Sequence, residues 1–142
     1  MLNQINIVAA DYDATLDFYR RLGVAITQTP RHADQRHAAA SLANGLTLEF
    51  DNVPLARIYN AAWRTADGGS AAILGFSLPS REAVDRLYAE LVAAGYRGRQ
   101  QPYDAFWGAR YAIVADPAGN DVGLMSPIDA TRRSWPPAAA PG

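Results

Sequence analysis

Alternating and helical hydrophobic patterns follow one another twice along the chain, in the same order. Ile5–Ala9 has period two, with Ile5 and Ile7 on one face and Gln4, Asn6 and Val8 on the other, which predicts a strand whose second face is unusually polar. Asp11 and Asp13 then offer N-cap oxygens, Leu16, Tyr19 and Leu22 recur at helical spacing, and Gly23 supplies a stop. Three short strand-like segments follow, Ala25–Thr29, His37–Leu42 and Leu46–Asp51, broken by Pro30, a charged stretch and the hairpin signal Asn44-Gly45. In the last of them Leu46, Leu48 and Phe50 share a face, and Thr47, Glu49 and Asp51 share the other.

The second round begins at residues 71–78, where Leu74, Phe76 and Leu78 alternate. Ser80 caps a helix carrying the stripe Val84, Leu87, Tyr88, Leu91 and Val92 up to Gly95. Strand candidates follow at Gly98–Gln101, Ala109–Ala115 and Asp121–Met125, the last two joined by a turn at 116–120 to which Asp116 and Asn120 are assigned. The pattern therefore predicts two tandem βαβββ modules, residues 1–53 and 71–127. A linker at 54–70 holds an apolar stretch, Leu55–Trp63, suited to a short helix, and an Asp67-Gly68-Gly69 break. Residues 128–142 form a Pro/Ala-rich tail unable to build a core, with Trp135 as its anchor. Each module alone, at about 60 residues, would bury too little surface, so packing on the other module or on a second chain is expected.

Composition narrows the function classes. The chain has 142 residues, 49% of them hydrophobic and 19% charged, as in an ordinary folded domain. Its 13 basic and 14 acidic side chains leave a net charge of −1, too balanced to hold a phosphate backbone or an anionic membrane. The absence of cysteine removes disulfides, thiolate catalysis and iron–sulfur clusters, and fits a reducing cytoplasm. No apolar run approaches bilayer-spanning length and the N-terminus has no signal-peptide pattern, so a cytoplasmic protein is expected, without nucleic-acid or membrane partners.

The combination of Ile5–Ala9, Asp11, FYRRLG, Leu48-Glu49-Phe50 and RYAIVADPAGNDVGL, in that order, resembles the vicinal oxygen chelate superfamily, which contains glyoxalase I, bleomycin-resistance proteins and extradiol dioxygenases. The resemblance covers residues 1–127. It implies an α+β fold in which two βαβββ modules form a curved mixed sheet, a half-barrel with helices outside and a ligand cavity on the concave face, often in a homodimer. Gln4, Asn6, Thr47, Glu49 and Ser77 would then look into the cavity; on a generic antiparallel sheet they would simply face solvent.

Metal-dependent relatives place a His, Gln or Glu ligand near the start of each module's first strand and a Glu on each module's last strand. Carried over, Gln4 and Glu49 match the first pair, whereas Ile73 and Gly123 stand at the second and donate nothing. Two protein donors are too few for a tight catalytic site, so no bound metal and no cofactor are expected. A slip of alignment could substitute Asp121 or Ser77.

Among other candidates, His32 and His37 lie in a charged stretch and read as surface residues. Glu49, in an apolar strand, is either a catalytic carboxylate in a dry cavity or a solvated one paired with Arg36 or Arg57. Tyr59, Trp63, Tyr103, Phe106, Trp107 and Tyr111 could stack on a planar ligand at the cavity mouth, or serve core and interface. Arg110 could meet a ligand's carboxylate or phenolate, or be a strand-edge charge. The expected function is metal-free sequestration of a largely apolar or aromatic small molecule, as in bleomycin-resistance proteins. The alternative is a lyase, isomerase or epimerase using Glu49, with Gln4 and Asn6 orienting substrate, with or without a divalent metal. A dimerisation module is the third reading.

Overall fold

The computed structural model describes residues 2, 4–61, 63–65, 72–135 and 140–142. The Asp67-Gly68-Gly69 break, residue 71 and residues 136–139 of the Pro/Ala tail lie outside the described residues. The chain divides into two compact units, residues 1–67 and 68–142, and each follows the βαβββ order that its periodicity predicts.

The first unit runs β1 (Gln4–Ala9), α1 (Tyr12–Arg21), β2 (Thr27–Gln28), β3 (His37–Ser41), β4 (Thr47–Asn52) and α2 (Val53–Tyr59). Asp11 caps α1, its side chain accepting from the Ala14 N–H, while Arg20 and Arg21 in the last turn complement the helix dipole. Gly23, at φ +85°, ends the helix in a conformation that costs other residues energy. The sheet order is β1-β4-β3-β2, with β1 parallel to β4 and the rest antiparallel. Helix α1 packs on β1 and β4, burying Leu16, Phe18 and Tyr19 against Ile7, Leu48 and Phe50. The Tyr19 and Phe50 rings lie 5.1 Å apart. Full burial of a residue such as Phe50 contributes about 1.5–3 kcal/mol, so this apolar face fixes the strand register and sends the other face outward.

The second unit repeats the plan with β5 (Ile73–Ser77), α3 (Arg81–Ala93), β6 (Gly98–Asp104), β7 (Arg110–Ala115) and β8 (Asp121–Met125). Its order, β5-β8-β7-β6 with β5 parallel to β8, is that of the first sheet. Ser80 caps α3 by accepting from Ala83, and Val84 and Leu91 bury against the sheet face of Ala112, Val114, Val122 and Leu124. The fold class is therefore α+β, with two tandem βαβββ modules each carrying a four-stranded mixed sheet.

Several boundaries differ from the sequence reading. β2 shortens to two residues, Thr27 and Gln28, both polar and both exposed. β6 extends to Asp104 through two register irregularities that no alternation announces. The linker helix starts at Val53, because Asn52 caps it and Pro54 suits its first turn.

Candidate functional site

Directly paired residues on neighbouring strands share a face, so the register places Gln4 beside Thr47, Asn6 beside Glu49 and Ala39, and Val8 beside Asp51 and His37 on one surface of the first sheet. This is the polar face expected from alternation. The Gln4 amide donates to Asn6. Glu49 is half-buried and has no ion pair among the described residues. Arg36, one of its two candidate partners, is held by Asp13 through bonds of 2.9 and 2.7 Å and lies 4.3 Å over the Tyr12 ring. The Asp13 carboxyl is held below its ordinary pKa chiefly by this bond, and the Arg36 guanidinium is raised for the same reason.

The centre of the polar face is Asp51, 2% exposed, which sequence reasoning left without a role. One carboxylate oxygen accepts from the Tyr59 hydroxyl at 2.6 Å and from the Asn6 amide at 3.2 Å, and the other meets Nδ1 of His37 at 2.7 Å. Three elements thus converge on a carboxylate that would be costly to bury unpaired. Tyr59 keeps its ring largely exposed while its hydroxyl reaches inward. Burial, the bond to Asp51 and the charges of Asp51 and Glu49 push its pKa up to about 12, against an opposing contribution from Asn6. The two histidines part company: His32 sits in a tight turn with Gln35, whereas His37 corrects the surface reading because it lies on β3 directly opposite Asp51.

The second sheet presents a different surface. Tyr103, Tyr111, Met125 and Ser77 form one cross-strand row, and Gly123 and Gly75 pair in the next. Trp107 stands 5.1 Å from Tyr111 and Tyr103 stands 6.3 Å from it, both edge-on. Burial raises the pKa of the Tyr103 and Tyr111 hydroxyls. Ile73, Gly75, Phe76, Ser77, Trp107, Tyr111 and Met125 line an open concavity of about 290 Å³. The tail fixes the loop that carries Trp107: Asp129 N–H donates to the Gly108 carbonyl, Ser134 N–H to that of Phe106, and Arg133 Nε to that of Trp107. Gly108 has φ +98°, and a Cβ there would come within 2.3 Å of the Asp129 carbonyl oxygen.

The expected aromatic set is thus only partly assembled. Tyr103, Phe106, Trp107 and Tyr111 gather in the second unit, with Phe106 5.2 Å from Trp107. Tyr59 belongs to the Asp51 cluster, and Trp63 follows α2, its N–H donating to the Asn60 carbonyl. Arg110 does not line the concavity. It shares the strand face of Ala112 and Val114 and pairs with Asp85 of α3 at 2.8 Å and Asp104 at 3.2 Å. A larger hollow of about 570 Å³ lies over the starts of α1 and α2, but its charged residues are committed, Asp11 to the α1 cap and Arg36 to Asp13.

The register also tests whether the residues fit a divalent metal. Asn6–Glu49 in the first sheet corresponds to Gly75–Gly123 in the second, and Gln4–Thr47 to Ile73–Asp121. Side-chain donors are therefore missing from both second-sheet positions that match Gln4 and Glu49. Tyr111 fills the space above Gly123, where a Cβ would meet its hydroxyl oxygen at 2.7 Å. Asp121 is turned to Arg99, 3.2 Å away. Among the described residues no three His, Asp or Glu side chains are grouped to hold an ion, and the donor set does not fit a resident metal.

The family model described as "Glyoxalase/Bleomycin resistance protein/Dioxygenase superfamily" matches residues 1–124. Among solved structures, a glyoxalase-related enzyme from Fulvimarina pelagi is 21% identical, with 99% of each chain covered and a TM-score of 0.71. A hypothetical protein from S. aureus is 18% identical, covering 89% of this chain and 93% of its own, at 0.72. A lactoylglutathione lyase from Agrobacterium tumefaciens is 18% identical, covering 89% and 92%, at 0.60. At these identities the likeness is one of fold. No curated protein matches the sequence significantly. Among the described residues no helix is long and apolar enough to cross a membrane.

Proposed function

The chain belongs to the glyoxalase/bleomycin resistance protein/dioxygenase superfamily, and from that premise we propose that it is a metal-independent small-molecule binding protein whose ligand is largely apolar or aromatic. The observation that carries this reading is Gly123 beneath Tyr111: where a ligating carboxylate would stand, an aromatic ring lies against the sheet, with Trp107 beside it. Flat rings at the wall of an open concavity favour stacking on a planar molecule. Family membership supplies the scaffold and leaves the chemistry to the site. Ile73 contributes apolar lining to the same concavity, the polar face of Gln4, Asn6, Thr47 and Glu49 on the first sheet is a separate proposed contact surface, and a homodimer is the assembly that we propose.

Native mass spectrometry of freshly purified, chelator-free protein tests this reading by reporting dimer, metal and retained compound together. The expected result is a dimer with well under one transition-metal ion per chain. A stoichiometric ion held by three or more side chains would overturn it. Trp107→Ala is expected to weaken binding of a stacked aromatic ligand by about 1–3 kcal/mol, read by calorimetric titration.

A second reading, proton-transfer catalysis on the first sheet, is favoured by Glu49, a half-buried carboxylate without a cationic partner among the described residues and beside the Asn6 amide. A lyase stands among the structural neighbours, which gives this reading a fold-level analogy only.

A further inference from the structure

Trp135 is 81% exposed, so it does not anchor the tail by burial, as its place in a Pro/Ala-rich sequence suggests. Hydrogen bonds hold the tail instead. The N–H groups of Asp129 and Ser134 and Nε of Arg133 donate to the carbonyls of Gly108, Phe106 and Trp107, at 3.0, 2.9 and 3.2 Å. The second unit thus keeps a large aromatic ring in water at a fixed place, which its own packing does not require.

The ring borders a hollow of about 380 Å³, lined by Phe106, Trp107, Arg133, Ser134 and Trp135, within the size range of small-molecule sites. Phe106 lies 5.2 Å from Trp107 and 6.3 Å from Trp135, edge-on to both indoles. Trp107 also lines the concavity of the Tyr111 row, and it is the one residue that the two cavities share. Arg133, Ser134 and Trp135 lie beyond residue 124, where the family match ends, so the hollow is built in part by residues outside the shared scaffold.

Aromatic walls alone would suit any flat apolar molecule or an organic cation. Charge decides between them. Arg81 and Arg110 pair with Asp104, and Arg132 with Asp129, whose carboxylate also accepts from Thr131. Arg133 uses Nε on the Trp107 carbonyl, and its two terminal nitrogens have no acceptor among the described residues. A guanidinium edge beside flat rings matches a carboxylate carried on a planar ring system and repels a quaternary ammonium group.

We propose that the hollow beside Trp135 is a binding site for a free aromatic carboxylate, its ring set among Phe106, Trp107 and Trp135 and its carboxylate on the terminal nitrogens of Arg133. The site is distinct from the Tyr111 concavity and needs no ligand there.

The test uses naphthoate, its neutral amide and phenyltrimethylammonium, titrated into the full chain. NMR follows the tryptophan indole N–H signals and the methyl signal of Met125, which lines the Tyr111 concavity and not the hollow. Naphthoate is expected to shift Trp107 and Trp135, to leave Met125 in place, and to bind about three- to tenfold more tightly than the amide, the worth of a charge-assisted bond at an exposed site. Arg133→Gln should erase that preference while the amide still binds, and Trp135→Ala should weaken both by about tenfold. Equal loss of acid and amide in Arg133→Gln, no binding of the acid at millimolar concentration, or a preference for phenyltrimethylammonium overturns the proposal. A shift of Met125 without one of Trp135 overturns it too, and leaves ligand capture in the Tyr111 concavity standing.

Discussion

Asp51 concentrates the largest residue-scale cost in the first unit. Its replacement by alanine leaves the Tyr59 hydroxyl, the Asn6 amide and the His37 ring without their shared acceptor. The expected loss is about 1–3 kcal/mol of stability, measurable as a lower urea midpoint with an unchanged slope. Tyr59→Phe removes one donor from an oxygen that keeps another and should cost less. The Tyr59 hydroxyl also has a pH signature. Its pKa is raised from 10.0 to about 12, so the folded chain keeps a proton that the unfolded chain gives up first. This contribution is fully present below pH 10 and is lost as pH rises through the folded value. Ultraviolet titration of phenolate should therefore show late-titrating tyrosines in the wild type and one fewer of them in Tyr59→Phe. None of this was legible in the sequence, because the partners of Asp51 lie 8, 14 and 45 residues away on separate elements. The available signal was its parity with Glu49 and the odd register of His37, and both become meaningful only once β3 and β4 are aligned.

At the scale of elements, helices and alternating strands were readable for local reasons. Asp11 and Ser80 cap α1 and α3, apolar stripes define their buried faces, and Gly23 stops the first. The metal-ligand mismatch at Ile73 and Gly123 was also readable, since each strand carries its own face pattern. The occupant of the space was not: Tyr111 covers Gly123 only through the β7–β8 register. The sequence likewise hid the fate of Arg110, whose strand parity turns it toward Asp85 of α3. Two substitutions check these placements. Gly123→Ala should cost about 1–3 kcal/mol by overpacking against Tyr111, and the cost should shrink in a Tyr111→Ala background. A double-mutant cycle on melting data reads the difference, and simple additivity would remove the contact. Gly108→Ala should be worse than Gly123→Ala, because it combines a positive φ with a backbone oxygen that cannot swing away.

At the scale of the whole molecule, the repetition sets the same stability problem in each unit. Each has a one-sided core: α1 covers the face of Ile7, Leu48 and Phe50, and α3 that of Ala112, Val114, Val122 and Leu124. On the other face of the second sheet Ile73 is half exposed, and on that of the first Glu49 and His37 remain partly accessible within their unit. A domain of about 60 residues buries only about 60% of the surface that its unfolded chain exposes, and conformational entropy rises with every residue ordered. Separate chains covering residues 1–67 and 68–142 are therefore expected to melt well below the intact protein, and the intact protein to unfold in one cooperative transition. Calorimetry on the three chains makes the comparison. An isolated unit as stable as the full chain would mean that its single apolar face suffices. The second face would then be free to be selected for ligand chemistry alone, and the polar cluster around Asp51 and the aromatic row around Tyr111 would carry no share of the folding energy beyond their own unit.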